Sequence, residues 1–552
     1  MGITTPVMYK NMYMGEMSEQ QAEMVLKIRN SSNIEGLTNW LFDFPNELIY
    51  KSMDEHKSIR QILKDENIDY KPYITKLRTY QTVGTAFMYM SPRSILGDGV
   101  GLGKTAEVSA LLNYLKSRNE LKRFIMAVEN SAWAQTTVEL IRFTGLRIIQ
   151  LPSEATKMKK VIKDTDWRTV DGMVIKHSAL RSDVFSKWLA GWIDAEGNNL
   201  LYDTFILDES SVIKNQKTKT YDYTKNMCNI AKRVHFLNAT TFETKIMDIY
   251  YQMDMMYPTL LPKKWRIEKE FCTFGQTSYW TKVNGKAQLN FRHELRGYKN
   301  QEIFKQSLAL NYFGRSKSDI GLDVPHIYKV YEISPSTDQS LALSKGYRYN
   351  EVLNCPSLIK ELGIPTDRKN VPKLDRLLDL VENDFSNESI MIFAFHIEAQ
   401  KRIKEELEKL GRHPVILNGD CVDNDRIEAQ TGFNNGTYDV IITNIKKSLN
   451  LFGGNVCIFY SVLTNPAAMF QAAGRIDRVG RISKEDAESG NFDKYIKTFI
   501  LLLYKGTDEY KFFTDVVKQR AKDARDLTID AKTTVDHFIE AMQEQEISNK
   551  GV

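Results

Sequence analysis

The sequence predicts an α/β protein with two parallel-sheet lobes in tandem. Short apolar runs rich in β-branched residues alternate with helical patterns in two separate series. These runs are apolar throughout, as in parallel sheets whose two faces are both covered by helices. The stretch between the two series lacks such runs and is rich in Met, Tyr, Trp and Lys, so we expect a mainly helical insertion there.

Nine apolar runs define the strands of the two lobes. The first series contains FIMAV (124–128), MVIKH (173–177), TFILD (204–208) and VHFLNA (234–239). The second series contains SIMIFAF (389–395), VILNG (415–419), DVIITN (439–444), VCIFYS (456–461) and KTFILLLY (497–504).

Five regions follow from these series. A small N-terminal accessory region carries two helical patterns, at 18–30 and 56–67, and the polar C-terminal tail is helix-prone. The predicted regions are the accessory region (1–70), the first lobe (71–245), the insertion (246–325), the second lobe (326–520) and the helical tail (521–552).

Composition excludes several classes of protein. Hydrophobic residues make up 42% and charged residues 26% of 552, which is typical of a globular protein and not of a disordered or fibrous one. The chain has 75 Lys and Arg against 70 Asp and Glu, a balance that neither demands nor excludes a nucleic-acid partner. No feature of the sequence identifies a protein partner.

The sequence predicts no membrane association. No apolar run approaches the roughly 18 to 20 residues of a membrane helix, and the N-terminus has no signal-peptide pattern. The five cysteines are scattered without a CxxC pair, which argues against zinc sites and disulfides. We therefore expect an intracellular protein, cytoplasmic rather than nuclear.

The stretch ILGDGVGLGKT (95–105) indicates a phosphate-binding loop. A short strand, a glycine turn and a helix N-terminus place backbone N–H groups where phosphate oxygens can sit. Lys104 would reach the phosphates and Thr105 would offer a hydroxyl to Mg²⁺. The general pattern has glycine where this loop has Asp98, so a mere glycine-rich turn is the alternative.

A pair of carboxylates ends the predicted strand TFILD. Asp208 and Glu209 would lie at the carboxyl edge of the sheet, where ligands bind in such folds. Asp208 would hold Mg²⁺ and Glu209 would polarise the attacking water. The alternative is an acidic pair that stabilises a helix N-terminus.

Two arginines in NPAAMFQAAGRIDRVGR could stabilise transition-state charge. Arg475 and Arg478 have the i, i+3 spacing that places two side chains on one face of a helix. The alternative is a solvated basic helix face.

In order along the chain, these motifs resemble those of the Swi/Snf-like ATPases of helicase superfamily two. GDGVGLGKT resembles the phosphate loop DEMGLGKT, which begins with Asp, and ILDESSVIKN is similar to ILDEAHxIKN. LRTYQTVGTAFM resembles the opening motif, GRSKSDIGLDVP resembles RRTKxDVxxxLP, and QAAGRIDRVGR resembles QAxGRxHRIGQ. The resemblance spans residues 77 to about 510 and implies two RecA-like lobes.

The resemblance also implies ligands and residue roles. ATP would bind through Gln81 on the adenine and through Gly101, Gly103, Lys104 and Thr105 on the phosphates, with Mg²⁺ on Thr105 and Asp208. Nucleic acid, duplex DNA first among the choices, would be held by its phosphates. The candidate lysines for that contact are Lys214, Lys217, Lys446 and Lys447, with Lys219, Lys263, Lys264 and Arg266 as further basic candidates.

Several positions depart from the family pattern. Gly99 and Val100 replace Glu and Met in the loop, and Asp477 replaces a histidine between the two arginines. The remaining replacements, which put coupling and substrate preference in doubt, are Ser211, Asn238, Ala239, Thr241, Thr244, Ser448 and Arg481.

The sequence therefore predicts an ATPase that moves along nucleic acid, with duplex DNA as its track. One alternative is a strand-separating helicase that acts on branched DNA or RNA. A second, from another class, is a non-hydrolysing ATP-binding scaffold that recruits partners.

Overall fold

The structure is a computed structural model. It describes residues 19–30, 44, 47–51, 72–193, 201–238, 246–257, 261–283, 286–364, 368, 370–421, 423–444, 451–463, 466–519, 521 and 534–550. None of the helices in these ranges combines the length and apolar character that crossing a lipid bilayer requires.

The N-terminal region packs onto the first lobe. It contains α1 (Glu19–Asn30) and the antiparallel pair β1 (Glu47–Lys51) and β2 (Pro72–Lys76). Apolar side chains of α1, among them Val25 and Ile28, are buried in the same core as Phe87 of the first lobe. The predicted helix at 56–67 lies outside the described residues.

The first lobe alternates strands and helices. Its strands are β3 (Arg93–Leu96), β4 (Phe124–Val128), β5 (Ile148–Leu151), β6 (Gly172–Lys176), β7 (Thr204–Asp208) and β8 (Arg233–Leu237). Its helices are α2 (Thr79–Met90), α3 (Lys104–Ser117), α4 (Trp133–Thr144), α5 (Ala155–Asp164), α6 (Asp183–Ala190) and α7 (Lys219–Ile230).

The insertion is helical at its ends but not at its centre. Its helices are α8 (Ile246–Met256), α9 (Lys264–Phe271) and α10 (Gln301–Ser307), and between the last two lie β9 (Cys272–Val283) and β10 (Lys286–Tyr298). These strands form a long antiparallel hairpin, which corrects the prediction of a mainly helical segment. The sequence signal was present, since Asn284 and Gly285 are a favoured hairpin turn between two β-prone runs.

The end of the insertion returns to the first lobe. The short strand β11 (Tyr312–Phe313) pairs in parallel with β3, next to the glycine-rich loop. The resulting seven-stranded parallel sheet has the order β11-β3-β8-β7-β4-β6-β5. The insertion is therefore tied to the edge of the sheet from which the loop starts.

The second lobe is a six-stranded parallel sheet with the order β12-β17-β16-β13-β15-β14. Its strands are β12 (Ile327–Ile333), β13 (Ile390–Phe393), β14 (Pro414–Leu417), β15 (Val440–Thr443), β16 (Val456–Phe459) and β17 (Thr498–Tyr504). Its helices are α11 (Thr337–Ser344), α12 (Tyr349–Asn354), α13 (Pro372–Asp379), α14 (Ile397–Lys409), α15 (Asp423–Asn434), α16 (Pro466–Ala473), α17 (Lys484–Ser489) and α18 (Asp508–Lys511).

The tail adds a helix to the second lobe. Helix α19 (Thr534–Lys550) confirms the predicted helical tail. Its side chains Val535 and Phe538 are buried in one core with strands of the second lobe.

The two parallel sheets confirm the predicted fold class. All nine apolar runs contain a strand of the structure. The strands β5, β11 and β12 of these sheets were not predicted; β12 (IYKVYEI) contains polar residues and is exposed at three of its seven positions, so it lacks the continuous apolar run that predicts a buried strand.

Candidate functional site

The glycine-rich loop joins β3 to α3 and has the backbone of an anion site. Gly101 and Gly103 have φ values of +84° and +88°, a left-handed conformation that favours glycine. Gly103 is the N-cap residue of α3, so Lys104 and Thr105 occupy the first turn of that helix. Its unpaired N–H groups and helix dipole favour a phosphate at this position.

Lys104 lies against both the loop and the acidic pair. Its ammonium group donates hydrogen bonds to the carbonyl oxygens of Asp98 (2.7 Å) and Gly99 (3.3 Å). Burial lowers the pKa of Lys104, while the nearby carboxylates of Glu209 and Asp208 oppose that shift. The structure thus brings the loop lysine and the predicted carboxylates together.

The acidic pair follows β7 in a constrained turn. Glu209 adopts a φ of +50°, which a residue with a side chain rarely takes outside constrained or functional sites. Its N–H donates to the Asp208 carboxylate at 3.0 Å, and Nε2 of His177 donates to the Asp208 carbonyl at 2.8 Å. Burial, with the charge of Glu209, raises the pKa of Asp208 to about 7.

These side chains fit Mg²⁺ held together with a nucleotide. A half-buried carboxylate with a raised pKa gains from a neighbouring cation, and Thr105 offers a hydroxyl in the first turn of α3. Within the described ranges, no three His, Cys, Asp or Glu side chains cluster to form a metal site of their own. Mg²⁺ needs no such cage, because it binds one or two carboxylates plus substrate phosphates.

Asp98 is a structural anchor of the loop. Its side chain is completely buried and accepts hydrogen bonds from the backbone N–H and Nε of Arg315, both at 3.1 Å. The Arg315 guanidinium also forms ion pairs with Asp98 and, at 2.8 Å, with the buried Glu107 of α3. Sequence reasoning noted Arg315 only as a motif match and missed this cluster.

The two arginines lie beyond a helix end. Helix α16 stops at Ala473, and Arg478 has an extended backbone, which corrects the prediction of a shared helical face. The Arg475 side chain turns back, and its Nε donates to the Gln471 carbonyl at 2.8 Å.

Both guanidinium groups nevertheless lie at the predicted site. Burial lowers the pKa of Arg475, and the charges of Glu209, Glu129 and Asp208 oppose that shift. Burial and the charge of Arg475 lower the pKa of Arg478 to about 9. Arg475 thus lies within electrostatic reach of the acidic pair, and Arg478 lies within electrostatic reach of Arg475.

The two lobes touch at the loop. A Cβ atom built on Gly101 would lie 3.1 Å from the Asp477 carbonyl oxygen and 3.5 Å from Cδ of Arg478. A Cβ atom on Gly474 would lie 2.5 Å from Cγ1 of Val100, whose side chain is only 4% exposed. Val100 therefore has a physical role as the loop residue that packs on the second lobe.

Gln81 contacts the loop. Its Nε2 donates to the Leu102 carbonyl at 3.0 Å, and its Oε1 accepts from the Arg78 N–H at 3.0 Å. The hydroxyl of Tyr80 donates to the same carbonyl at 2.8 Å. Gln81 thus braces the loop, and its recognition of adenine stays a prediction.

The predicted nucleic-acid lysines are scattered. Lys214, Lys217 and Lys219 are exposed after the acidic turn, and Lys263, Lys264 and Arg266 are exposed around the start of α9. Lys446 and Lys447 lie outside the described residues, as do Ala239, Thr241, Thr244 and Ser448.

The predicted cleft between the lobes is present, but sequence reasoning named none of the residues that line it. Its volume is about 440 Å³, and it is lined by Glu129, Asn130, Ser131, His177, Ser178, Arg181, Val212, Thr220, Gly419 and Arg426. The available signal was position, because several of these residues directly follow the predicted strands, at the carboxyl edge where parallel sheets bind ligands.

Comparison with known proteins agrees with this arrangement. The helicase conserved C-terminal domain matches residues 372–480, within the second lobe. The SWI/SNF-related matrix-associated actin-dependent regulator of chromatin subfamily A-like protein 1 of Xenopus tropicalis is 24% identical over an alignment of 444 residues that covers 76% of this chain. The DNA repair protein rhp54 of Schizosaccharomyces pombe is 21% identical over 73% of this chain and 54% of its own length.

These matches show what the chain resembles. A helicase domain in the second lobe, and relatives aligned with about three quarters of the chain, show a likeness to the ATPases of helicase superfamily two. Within that class the chain is similar to the Swi/Snf-like ATPases.

The chain spans 43% of the length of the Xenopus relative. The solved SWI2/SNF2 ATPase core of Sulfolobus solfataricus in complex with dsDNA is 20% identical, with a TM-score of 0.38 over 86% of this chain and 96% of the other.

Proposed function

We propose that this chain hydrolyses ATP between its two lobes and uses the cycle to move along nucleic acid, with duplex DNA as the track. One observation carries the proposal. Lys104, the Asp208–Glu209 pair and Arg475 come from three separate segments, yet both Lys104 and Arg475 lie within electrostatic reach of the acidic pair. A scaffold that only binds ATP has no need of a buried arginine facing a strained glutamate.

Each side chain has a separate task in hydrolysis. The loop N–H groups and Lys104 would bind the phosphates, and Glu209 would orient and polarise the attacking water. Arg475 and Arg478 would stabilise the charge that builds up on the transferred phosphoryl group. Mg²⁺, held by Thr105 and Asp208, supplies positive charge to the phosphates when bound.

Substitution of Glu209 separates binding from hydrolysis. Glu209→Gln keeps the size of the side chain but removes its charge, so we expect ATP binding to persist while kcat falls about 10²- to 10⁴-fold. Glu154→Gln, at an exposed site in the same lobe, is the control and should leave kcat unchanged. Full turnover by Glu209→Gln would show that the water-activating role belongs to another group.

The interlobe cleft is the proposed track for the nucleic-acid backbone. It offers the guanidinium groups of Arg181 and Arg426 and the hydroxyls of Ser131, Ser178 and Thr220, which are the groups that bind phosphates without reading bases. His177 also lines this cleft and donates to the Asp208 carbonyl. A nucleic-acid strand bound in the cleft would therefore be separated from Asp208 and Glu209 by the His177 side chain alone.

Two measurements test the track. Arg181→Ala and Arg426→Ala should each weaken duplex DNA binding and reduce the slope of log affinity against log salt by roughly one, with the KM for ATP unchanged. Lys159→Ala, an exposed lysine on α5, is the control. Movement along the duplex is measured as ATP-dependent displacement of a third strand from a DNA triplex, and its absence would contradict the proposal.

A second candidate function, strand separation, is favoured by the hairpin of the insertion. The rings of Phe274 and Phe291 are 48% and 61% exposed on β9 and β10, which pair only with each other in the described sheets. Exposed rings can stack on unpaired bases. Unwinding of a forked duplex by the wild-type protein, lost in Phe274→Ala, would favour this candidate over movement alone.

We also propose an intracellular location. The five cysteines, all within the described ranges, are free thiols and four of them are buried. Free thiols fit a reducing compartment.

A further inference from the structure

A single segment joins the glycine-rich loop to the arginines of the second lobe. We name residues 314–326, between β11 and β12, the strap. Its first part is bound to the first lobe and its last part to the second. It therefore crosses the boundary between the lobes at the nucleotide site.

The start of the strap is fixed to the loop. The N–H of Gly99 donates to the Arg315 carbonyl at 2.8 Å, while Arg315 itself pairs with Asp98 and Glu107. The guanidinium carbon lies 4.6 Å from the ring centroid of Phe313. Arg315 is 9% exposed, so these charges meet in a region where water screens them little.

The middle of the strap shares an apolar cluster with both lobes. Leu322 and Val324 pack with Leu102 of the loop and with Val479 and Ile482, which follow the arginines. All five side chains are at most 5% exposed. The loop and the arginine segment are thus packed on the strap as well as on each other.

Two residues of the strap bind Asp477, Lys317 near its start and His326 at its end. The ammonium group of Lys317 forms an ion pair with the Asp477 carboxylate and donates to the Asp477 carbonyl at 3.3 Å. Nε2 of His326 lies 3.1 Å from the same carboxylate. Nδ1 of His326 accepts from the Lys497 N–H, so Nε2 carries the proton that is donated to Asp477.

A displacement of Asp477 would also move Arg475 and Arg478 relative to the glycine-rich loop. It precedes Arg478 and is two residues from Arg475, and its carbonyl oxygen is the atom nearest to a Cβ built on Gly101. Burial opposes ionisation of Asp477, but the charge of Lys317 and the hydrogen bond from His326 outweigh it and lower the pKa of Asp477, so the carboxylate is ionised at neutral pH. Aspartate replaces the family histidine at this position, so this contact belongs to the present chain.

We propose that Lys317 and His326 are positioning residues that act through Asp477 to hold Arg475 and Arg478 against the phosphate loop. We call Lys317, His326 and Asp477 the interlobe latch. The latch is closed when the Asp477 carboxylate is bound to Lys317 and His326, and open when these contacts are broken. The inference rests on the proposed ATP hydrolysis. Since Lys317, His326 and Asp477 are not among the residues proposed to bind the phosphates or the adenine, loss of the latch lowers kcat and leaves the affinity for ATP nearly unchanged.

A double-mutant cycle on turnover tests the latch. Lys317→Met and Asp477→Asn should each lower kcat at least about tenfold, with the KM for ATP changed less than about twofold. The double variant should lose no more than the worse single variant, because both remove the same contact. Lys317→Arg should retain most of kcat, and Lys329→Met, at an exposed lysine on β12, should retain all of it.

Three results would overturn the latch. They are unchanged kcat in the single variants, losses that multiply in the double variant, and a rise in KM without a fall in kcat.

The latch can also be tested by a measurement that does not depend on ATP hydrolysis. If the wild-type protein hydrolyses no ATP under any condition, the proposed function fails, and small-angle X-ray scattering then tests the latch. Lys317→Met should show a larger radius of gyration than the wild type and than Lys329→Met. An identical radius would overturn the latch without bearing on hydrolysis.

Discussion

Gly474 allows the second lobe to approach the phosphate loop, and adding one methyl group there should slow hydrolysis. A Cβ atom at this position would lie 2.5 Å from Cγ1 and 2.9 Å from Cβ of Val100. Both distances are shorter than van der Waals contact. Val100 is 4% exposed and its side chain is short, so the contact cannot be relieved by rotation alone. Gly474→Ala must therefore push the lobes apart.

The magnitude follows from the cost of overpacking. Extra methyl groups in well-packed sites cost about 1–3 kcal/mol. If that cost is felt only when the lobes are closed, it adds to the activation free energy, and kcat should fall about 5- to 150-fold. The KM for ATP should change less, because the loop that binds the phosphates is intact.

A control and a rescue make the test specific. Gly480→Ala should be nearly neutral, because a Cβ built there meets no atom within 4 Å. Val100→Ala removes the nearer contacted atom, so it should restore part of the activity of Gly474→Ala. Steady-state ATP turnover measures all of these variants. Normal kcat in Gly474→Ala, or equal losses at Gly480 and Gly474, would refute the packing of the two lobes described above.

Two further predictions concern buried charge. Lys373 and Glu509 form an ion pair at 2.9 Å, and at most 1% of either side chain is exposed. Glu509→Ala leaves the Lys373 charge buried without its partner, so the free energy of unfolding measured in urea should fall by about 3–5 kcal/mol. The control Asp508→Asn, at the exposed neighbouring residue, should change that free energy by less than about 0.5 kcal/mol. Asp208 has a pKa of about 7 in the folded protein, above its ordinary value of 3.8, so the folded protein favours the protonated side chain. The stability that Asp208 contributes is therefore full below about pH 4 and is lost as the pH rises through 7. With a chelator present, Asp208→Asn should thus melt several degrees above the wild type at pH 8, and this difference in melting temperature should narrow toward pH 5. The variant should also lose ATP turnover. A variant that melts below the wild type at pH 8 would contradict the raised pKa of Asp208.

The central strands were predictable because their signal is local. Runs such as FIL of β7 and VII of β15 are apolar at every position, and burial on both faces of a parallel sheet requires this pattern. The loop and the acidic pair were predictable for the same reason, since each directly follows such a run. The insertion hairpin also had a local signal, because Asn-Gly is a dipeptide that favours hairpin turns and it stands at 284–285 between two β-prone runs.

The rest depends on contacts between distant parts of the chain. Asp98 and Arg315 are 217 residues apart, and only the fold brings the aspartate of the loop to its partner. The same is true of Lys317 and Asp477, which are 160 residues apart. The i, i+3 spacing of Arg475 and Arg478 misled for another reason, because α16 ends just before Gly474 and the arginines reach the site from a non-helical segment.

The most direct test of the proposed motor is ATP turnover with four additions: no polymer, single-stranded DNA, duplex DNA and RNA. Nucleic acid in the interlobe cleft should favour the closed lobes and with them the approach of Arg475 to the acidic pair. We predict the highest kcat with duplex DNA, and little turnover without polymer. Stimulation by RNA alone would contradict the duplex track, and no turnover under any of the four conditions would contradict the proposed enzyme.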